Sequence, residues 1–279
     1  MSQNKPVSEL QTIALRSRAM ILQMVYNAGC GHFGGPFSMI DLVTALYFYK
    51  MNYDVKKPLD DNRDKFVLSA GHKCAGLYAT LIQAGFVPES EKLQFRKMGS
   101  NLQGHPKYKP EWGIDMSTGS LGQGMSVANG MALAARIQNK SHRVYSLESD
   151  GGAQEGMFWE GVMTAAQYKL DNRCILLDNN NVQIDGFVDA VKKMAPFDEK
   201  FKSFGWHVIN VDGHDMAQIC AALDEAETVK GKPTAIIGKT IMCKGMPSFE
   251  NNPGYHGKAP TKEEFERGMK ELGFAPTLQ

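Results

Sequence analysis

The sequence carries no surplus of charge: 31 lysines and arginines stand against 30 aspartates and glutamates in 279 residues. Without a basic cluster it offers no footprint for nucleic acid or an acidic membrane, so its partners are expected to be small molecules or protein. Cysteine is sparse. The five (Cys30, Cys74, Cys174, Cys220 and Cys243) are odd in number, widely spaced and lack a CxxC pair, which argues for reduced thiols in a cytoplasmic protein and against a sulfur-ligated metal. No stretch approaches the ~20 apolar residues of a membrane span. The opening Met-Ser-Gln-Asn-Lys-Pro is polar and leads into an amphipathic segment, so an unexported, soluble protein is expected. Repeats and low-complexity tracts are missing as well. What remains is a chain long enough to bury a sizeable core, expected to form one domain over 1–279, with 1–6 a polar tail and 261–279 a terminal helix and tail.

Apolar residues recur at three-to-four spacing in 7–27 (Leu10, Ile13, Ala14, Ser17, Ile21, Met24), a helix closed by Ala28-Gly29-Cys30-Gly31. A glycine-rich turn, His32-Phe33-Gly34-Gly35-Pro36, follows, and Ser38 is placed to cap a helix reaching Tyr49. On local grounds His32 reads equally as a solvated histidine in a turn. Further helices are expected over 73–85, 88–96, 125–138, 216–229 and 262–272, and strands over 66–68, 206–211 and 233–240. Alternating strands and helices of this kind predict an α/β fold, a doubly wound parallel sheet flanked by helices, after a helical N-terminal region.

The centre of the chain, 149–186, reads as strand, acidic turn, helix, strand, polar loop. In an open parallel sheet ligands settle at the carboxyl ends of strands, so Asp150 and Asn180 are expected to face one crevice. A carboxylate, an amide oxygen and a backbone carbonyl near Val182 suit Mg²⁺, which prefers oxygen ligands and shares them with substrate phosphates. Gly151 and Gly152 permit close approach of the backbone to a phosphate, and the helix beginning near Gly156 turns its positive end toward it. Taken separately, an Asp-Gly pair is an ordinary turn and an Asn-Asn pair an ordinary loop.

Four of the seven histidines, His32, His72, His105 and His256, fall in loops bearing glycine or proline, whereas His207 falls within a strand, as a core or edge residue. His72 closes the strand that ends in Leu68, where a parallel sheet places its ligands. The run Thr118-Gly119-Ser120-Leu121-Gly122-Gln123-Gly124 opens a small-residue helix and reads equally as a phosphate-binding loop or as a packing element.

Asp150-Gly151, Gln154-Glu155-Gly156, Trp159-Glu160, Lys169-Leu170 and Asn180-x-x-Gln183-Ile184-Asp185-Gly186 together resemble the thiamine diphosphate motif of transketolase. The likeness extends through Gly31-His32-x-Gly34-Gly35, Leu68-Ser69-x-Gly71-His72, Gly104-His105-Pro106, Gly119 to Gly124, Asp212-Gly213-His214-Asp215 and His256-Gly257-Lys258-Ala259-Pro260. It implies the diphosphate-binding type of thiamine diphosphate-binding domain. Asp150, Asn180 and the Val182 carbonyl would hold Mg²⁺, with Ca²⁺ or Mn²⁺ as substitutes. By the same resemblance His72 and His256 contact the diphosphate or the reacting carbons, while His32 and His105 bond the hydroxyls of the donor ketose. Gly119 and Leu121 line the cofactor, Gly151 donates its N–H to the diphosphate, and Glu155 joins an acidic network between two active sites. Three departures stand beside retained residues: Ser149 where the family has glycine, and Phe33 and Ser120 where it has proline.

The resemblance further implies transfer of a two-carbon ketol group from a ketose, expected to be a sugar phosphate, to an aldose. The cofactor is the electron sink and the imidazoles, with ordinary pKa of ~6.5, shuttle protons. The pyrimidine-binding domain and its activating glutamate do not fall within these residues. A transferase of carbohydrate metabolism is therefore expected, in which this chain is the N-terminal subunit of a split transketolase working with a C-terminal subunit in a cytoplasmic α2β2 heterotetramer. Rival readings are a subunit of a 1-deoxyxylulose-phosphate synthase-like or 2-oxoacid dehydrogenase-like enzyme, and a non-catalytic subunit that binds cofactor or partner. A dinucleotide-binding protein is disfavoured, since no GxGxxG follows the first strand.

Overall fold

The computed structural model describes residues 3–277; Met1 and Ser2 of the expected polar tail, and Leu278 and Gln279 at the other end, lie outside them. Helix α1 (Val7–Ala28) ends at Gly29, whose φ of 66° lets its N–H turn back onto the Tyr26 carbonyl. It is followed by α2 (Gly34–Ala45) with a π-helical extension Leu46–Lys50, β1 (Lys65–Leu68), α3 (Cys74–Ala84), α4 (Gln123–Ile137), β2 (Val144–Ser149), α5 (Gly156–Gln167) and β3 (Arg173–Asn179). A small hairpin, β4 (Val182–Gln183) and β5 (Gly186–Phe187), leads to α6 (Val188–Val191) and α7 (Phe197–Ser203). Then come β6 (His207–Asp212), α8 (Met216–Thr228), β7 (Thr234–Lys239) and α9 (Lys262–Glu271).

Five strands form one sheet in the order β1-β2-β3-β7-β6, and every neighbouring pair is parallel. Strands β1, β2, β3 and β7 are buried on both faces, as a continuous run such as Cys174-Ile175-Leu176-Leu177 requires, while the edge strand β6 is largely open. Alternate side chains serve opposite layers. Leu176 and Ile236 pack with α1, α2, α3 and α8, whereas Ile175, Leu177, Ala235 and Ile237 pack with α4, α5 and α7. Each such side chain, fully buried, contributes about 1.5–3 kcal/mol, so two layers of helices hold the sheet from both sides. The sheet carries the site at one end. Its register sets Leu147 beside Leu68, Ser149 beside Asp178 and Asn179 beside Lys239, so the carboxyl ends of β1, β2, β3 and β7 come out together.

Two local expectations are corrected. Ser38 does not cap a helix: α2 begins earlier, at Gly34, and Ser38 is buried inside it, donating to the Gly35 carbonyl. Pro36 sits in the first turn, where its missing N–H costs nothing. Gly34 lies so close to the loop after β7 that a Cβ there would come within 2.9 Å of Met242 Cγ, so only glycine fits at the first residue of the helix. The loop 181–187, expected to be plain, holds the β4–β5 hairpin, antiparallel, with Val182 opposite Phe187. The segment expected as a helix over 88–96 is a 3₁₀ turn, Glu89–Gln94. His207 lies on the edge strand β6, its ring 2.7 Å from Glu225.

Candidate functional site

A cavity of about 300 Å³ opens at the carboxyl end of the sheet. His72 reaches it from the 3₁₀ turn Gly71–Lys73 directly after β1, Ser149, Gly151 and Gly152 from the end of β2, and Val182, Gln183 and Ile184 from the hairpin after β3. His32 enters from just ahead of α2, and His256 from the 3₁₀ turn Pro253–Tyr255. Strand ends and loop positions therefore converge on one crevice, although the Asp150 and Asn180 side chains, expected to face it, do not line it.

Three imidazoles meet there. Ring centroids of His32 and His72 are 5.3 Å apart, those of His32 and His256 5.7 Å, and those of His72 and His256 5.5 Å. His32 Nδ1, His72 Nε2 and His256 Nδ1 are all buried and find no hydrogen-bond partner among the described residues. Buried polar atoms are ordinarily paired, so three orphans around one cavity mark a place where a polar ligand completes the structure. Their charge state follows from their surroundings. Burial first, then the Arg96 and His105 charges, lowers His32 to about 4. Burial, then Lys73 and His32, lowers His256 to about 4, and burial, Lys73 and the other imidazoles push His72 down as well. All three rings are neutral at neutral pH, each able to donate at one nitrogen and accept at the other.

His105 stands apart. It is exposed at the rim, its Cδ2 3.6 Å from where a Cβ on Gly119 would be, and it does not line the cavity, though its charge reaches His32 and His72. Gly119 is exposed beside it, while Leu121 and the exposed Glu155 line the cavity.

Asp150 and Asn180 lie just behind the cavity wall, both buried. Asp150 accepts the Gly151 N–H at 2.8 Å on Oδ1 and the Asn181 N–H on Oδ2. The Gly151 N–H, expected to serve a diphosphate, is thus engaged by its neighbour's carboxylate. Asn180 Oδ1 accepts the Val182 N–H at 2.9 Å, and its Nδ2 donates to Ser38 Oγ at 2.9 Å. Burial, aided by the nearby Asp178, pushes Asp150 up to about 7 although Lys73 opposes it. A divalent cation would reverse that shift, because an adjacent positive ion favours the ionised carboxylate. A buried carboxylate that forms no ion pair among the described residues, at the end of the strand beside the one that carries the Asn180 amide oxygen, therefore fits the cation inferred from sequence.

Beneath these residues lies a network that the sequence reading missed. Asp178, fully buried, receives Lys73 Nζ at 2.5 Å and Ser38 Oγ at 2.5 Å on Oδ2, and Thr240 Oγ1 on Oδ1. A carboxylate ending an otherwise apolar strand, and a lysine directly after a strand-end histidine, were the available signals. Of the departures from the family pattern, Ser149 turns its Oγ onto the Gly152 N–H at 3.0 Å. Phe33 is a core ring packed against Phe37, Phe249 and Tyr255, and Ser120 is exposed.

Parallel strands ending in a buried carboxylate, a glycine turn before a helix and a ring of neutral imidazoles define an α/β domain with a polar cavity at one end of its sheet. The comparisons narrow this class. Residues 10–279 match the family pattern of transketolase, thiamine diphosphate binding domain. The chain is 36% identical over 264 residues to the 6-deoxy-6-sulfo-D-fructose transketolase subunit SqwG of Clostridium sp. (strain MSTE9), covering 95% of this chain and 96% of that protein. It is 35% identical to an apulose-4-phosphate transketolase subunit from Actinobacillus succinogenes, covering 95% of each. The crystal structure of transketolase from Campylobacter jejuni superposes with a TM-score of 0.91 at 32% identity, covering 98% of this chain and 44% of that one. The chain belongs to the transketolase family, as its thiamine diphosphate binding domain. It spans nearly all of the two subunits and less than half of the Campylobacter chain, and its activity class is thiamine diphosphate-dependent ketol transfer.

Proposed function

We propose that this chain holds the diphosphate end of thiamine diphosphate and, with a separate subunit that holds the pyrimidine end, transfers a two-carbon ketol group from a ketose to an aldose. The observation that carries this reading is the convergence of three unpartnered ring nitrogens, on His32, His72 and His256, over a buried Asp150–Asn180 pair. Asp150, Asn180 and the Val182 carbonyl hold Mg²⁺, and Gly151, Leu121 and Gly119 border the cofactor. When bound, the cofactor supplies an electron sink for the carbon–carbon bond that breaks. The chain's own residues do the rest. His72 and His256 face the cofactor and the reacting carbons, His32 and the rim residue His105 bind the hydroxyls of the donor, and these neutral rings pass protons between sugar oxygens. Glu155, exposed where it lines the cavity, would join a second site across a contact between subunits.

The partner is inferred from two matched relatives named as subunits. A surface for it is the outward face of α4, where Ser126, Gly130, Ala134 and Ile137 are exposed, next to the exposed Met163 of α5. Small and apolar residues in a continuous face permit close packing of another subunit, and two copies of each chain complete two sites. The sulfonated and phosphorylated sugars in the relatives' names point to a donor or acceptor with an anionic end. The five free thiols suit a reducing compartment such as the cytoplasm, and no helix among the described residues is long and apolar enough to cross a membrane. The test is ketol transfer with thiamine diphosphate and Mg²⁺, measured with the chain alone and with the candidate second subunit. Turnover is expected in the mixture alone. Substantial turnover by the chain alone, unaffected by the second subunit, would overturn the split arrangement.

A further inference from the structure

Lys73 is the most deeply buried ammonium bordering the cavity: it is 1% exposed, lines the cavity directly, and is held by Asp178. Its position is built. The stem runs past Gly35, where a Cβ would meet Lys73 Cε at 3.0 Å and its Cδ and Cγ at 3.4 Å, so any larger residue at 35 would press the ammonium out of place. Asp178 Oδ2, which receives Lys73, is also approached by the Asn180 amide nitrogen at 3.4 Å and by Ser38 Oγ, so Nζ and the Asn180 side chain meet at one oxygen. Three donors are available on an ammonium, and among the described residues one hydrogen bond is formed, to Asp178.

The charges present argue for a second ligand on this group. Asp150 and Asp178 with Lys73 leave the cavity floor at a net single negative charge when both carboxylates are ionised. A divalent cation and a diphosphate add about two positive and up to about three negative charges, so the floor without Lys73 would carry a further uncompensated negative charge at low dielectric. We propose that Lys73 is a second cationic anchor for the cofactor's diphosphate, with Asp178 as the residue that positions it. This rests on the thiamine diphosphate reading above. The ammonium acts as a point charge on diphosphate oxygens, and no bond is made or broken at it.

The test is calorimetric binding by the full chain in Mg²⁺, with the second subunit present in a parallel series, using thiamine diphosphate, inorganic pyrophosphate and thiamine as probes. Lys73→Met alone leaves Asp178 buried without its cation and is expected to lower stability. The informative variant is therefore Lys73→Met with Asp178→Asn, checked for its fold by circular dichroism. It should bind thiamine diphosphate and pyrophosphate about tenfold or more weakly, the size of one lost charge-assisted hydrogen bond, with thiamine binding unchanged. Lys73→Arg should keep part of the diphosphate affinity. If wild type binds thiamine diphosphate and the double variant binds it equally, Lys73 only neutralises Asp178 and the inference fails by itself. If wild type binds neither thiamine diphosphate nor pyrophosphate in either series, the cofactor reading fails and takes the inference with it.

Discussion

The His214 ring bonds Asp41 through Nδ1 at 2.7 Å. Through Nε2 the same ring accepts the Ile241 N–H at 2.8 Å, and Arg18 donates to both oxygens of Asp41, at 3.1 Å to Oδ1 and at 2.6 Å to Oδ2, the oxygen that His214 also meets. Arg18 and Asp41 come from α1 and α2, and Ile241 starts the loop that leads to His256. The Asp212-Gly213-His214-Asp215 motif thus works at a distance from the cavity: it ties that loop to the helical layer, while Asp215 caps α8.

His214→Ala is expected to leave the Ile241 N–H unpaired, at a cost of about 1–3 kcal/mol in stability. Hydrogen exchange measured by mass spectrometry should accelerate over 240–250, the loop leading to His256. Unchanged exchange there would show that the loop is held by other contacts.

Asp150→Ala removes the buried carboxylate and should abolish Mg²⁺-dependent retention of thiamine diphosphate by the assembled enzyme. Asp171→Ala is the control, because Asp171 lies in an exposed turn and accepts the Gly231 N–H. Cofactor retained after desalting, assayed by fluorescence of its oxidised form, separates the two. Equal retention would remove Asp150 from the metal site.

Ser149→Gly takes away the hydroxyl that accepts the Gly152 N–H. The turn should loosen, lowering stability by about 0.5–1.5 kcal/mol, the usual net worth of such a bond, and weakening cofactor affinity in the same range. Denaturant unfolding and cofactor titration report the two effects. Tighter cofactor binding in the variant would mean instead that the hydroxyl crowds the diphosphate turn.

His32 and His256, lowered from 6.5 to about 4, give the fold a pH dependence of definite sign. Between those values the unfolded chain binds more protons than the folded one, so their contribution is fully present above pH 6.5 and is lost as pH falls toward 4. Asp150, raised from 3.8 to about 7, acts in the opposite sense over much of that window. The histidine part is therefore read from the difference between wild type and a His32→Gln, His256→Gln variant, whose stability should fall less between pH 6.5 and 5. Ring titrations followed by NMR should show both histidines neutral down to about pH 5, and a midpoint near 6.5 for either would contradict their burial.

The sheet was legible in the sequence because strands buried on both faces announce themselves as unbroken apolar runs. The placement of Asp150, Asn180 and His72 directly after strands was legible, because the ends of apolar runs can be read from sequence, whereas which of them line the cavity was not. Less visible were contacts made by distant packing. The start of α2 at Gly34 packs against Met242, far along the chain, and two-residue strands such as β4 and β5 have no periodicity to read. The Lys73–Asp178 pair joins residues more than a hundred positions apart, so although each stands at a strand end, nothing local pairs one with the other. His105, grouped with the other loop histidines by its glycine and proline neighbours, proves exposed at the rim, since loop composition says nothing about depth.

The three rings around the cavity come from before α2, after β1 and after β7, so the pocket closes only when nearly the whole chain is in place. No fragment lacking either end of that span can assemble it, and a nick that lets 241–256 drift should erase binding before it melts the sheet. A molecule seated there is linked to global unfolding, raising the melting temperature with the logarithm of its concentration above the dissociation constant. In a cell the abundance of intact protein would then track the supply of vitamin-derived cofactor, with scarcity read out as turnover of the chain.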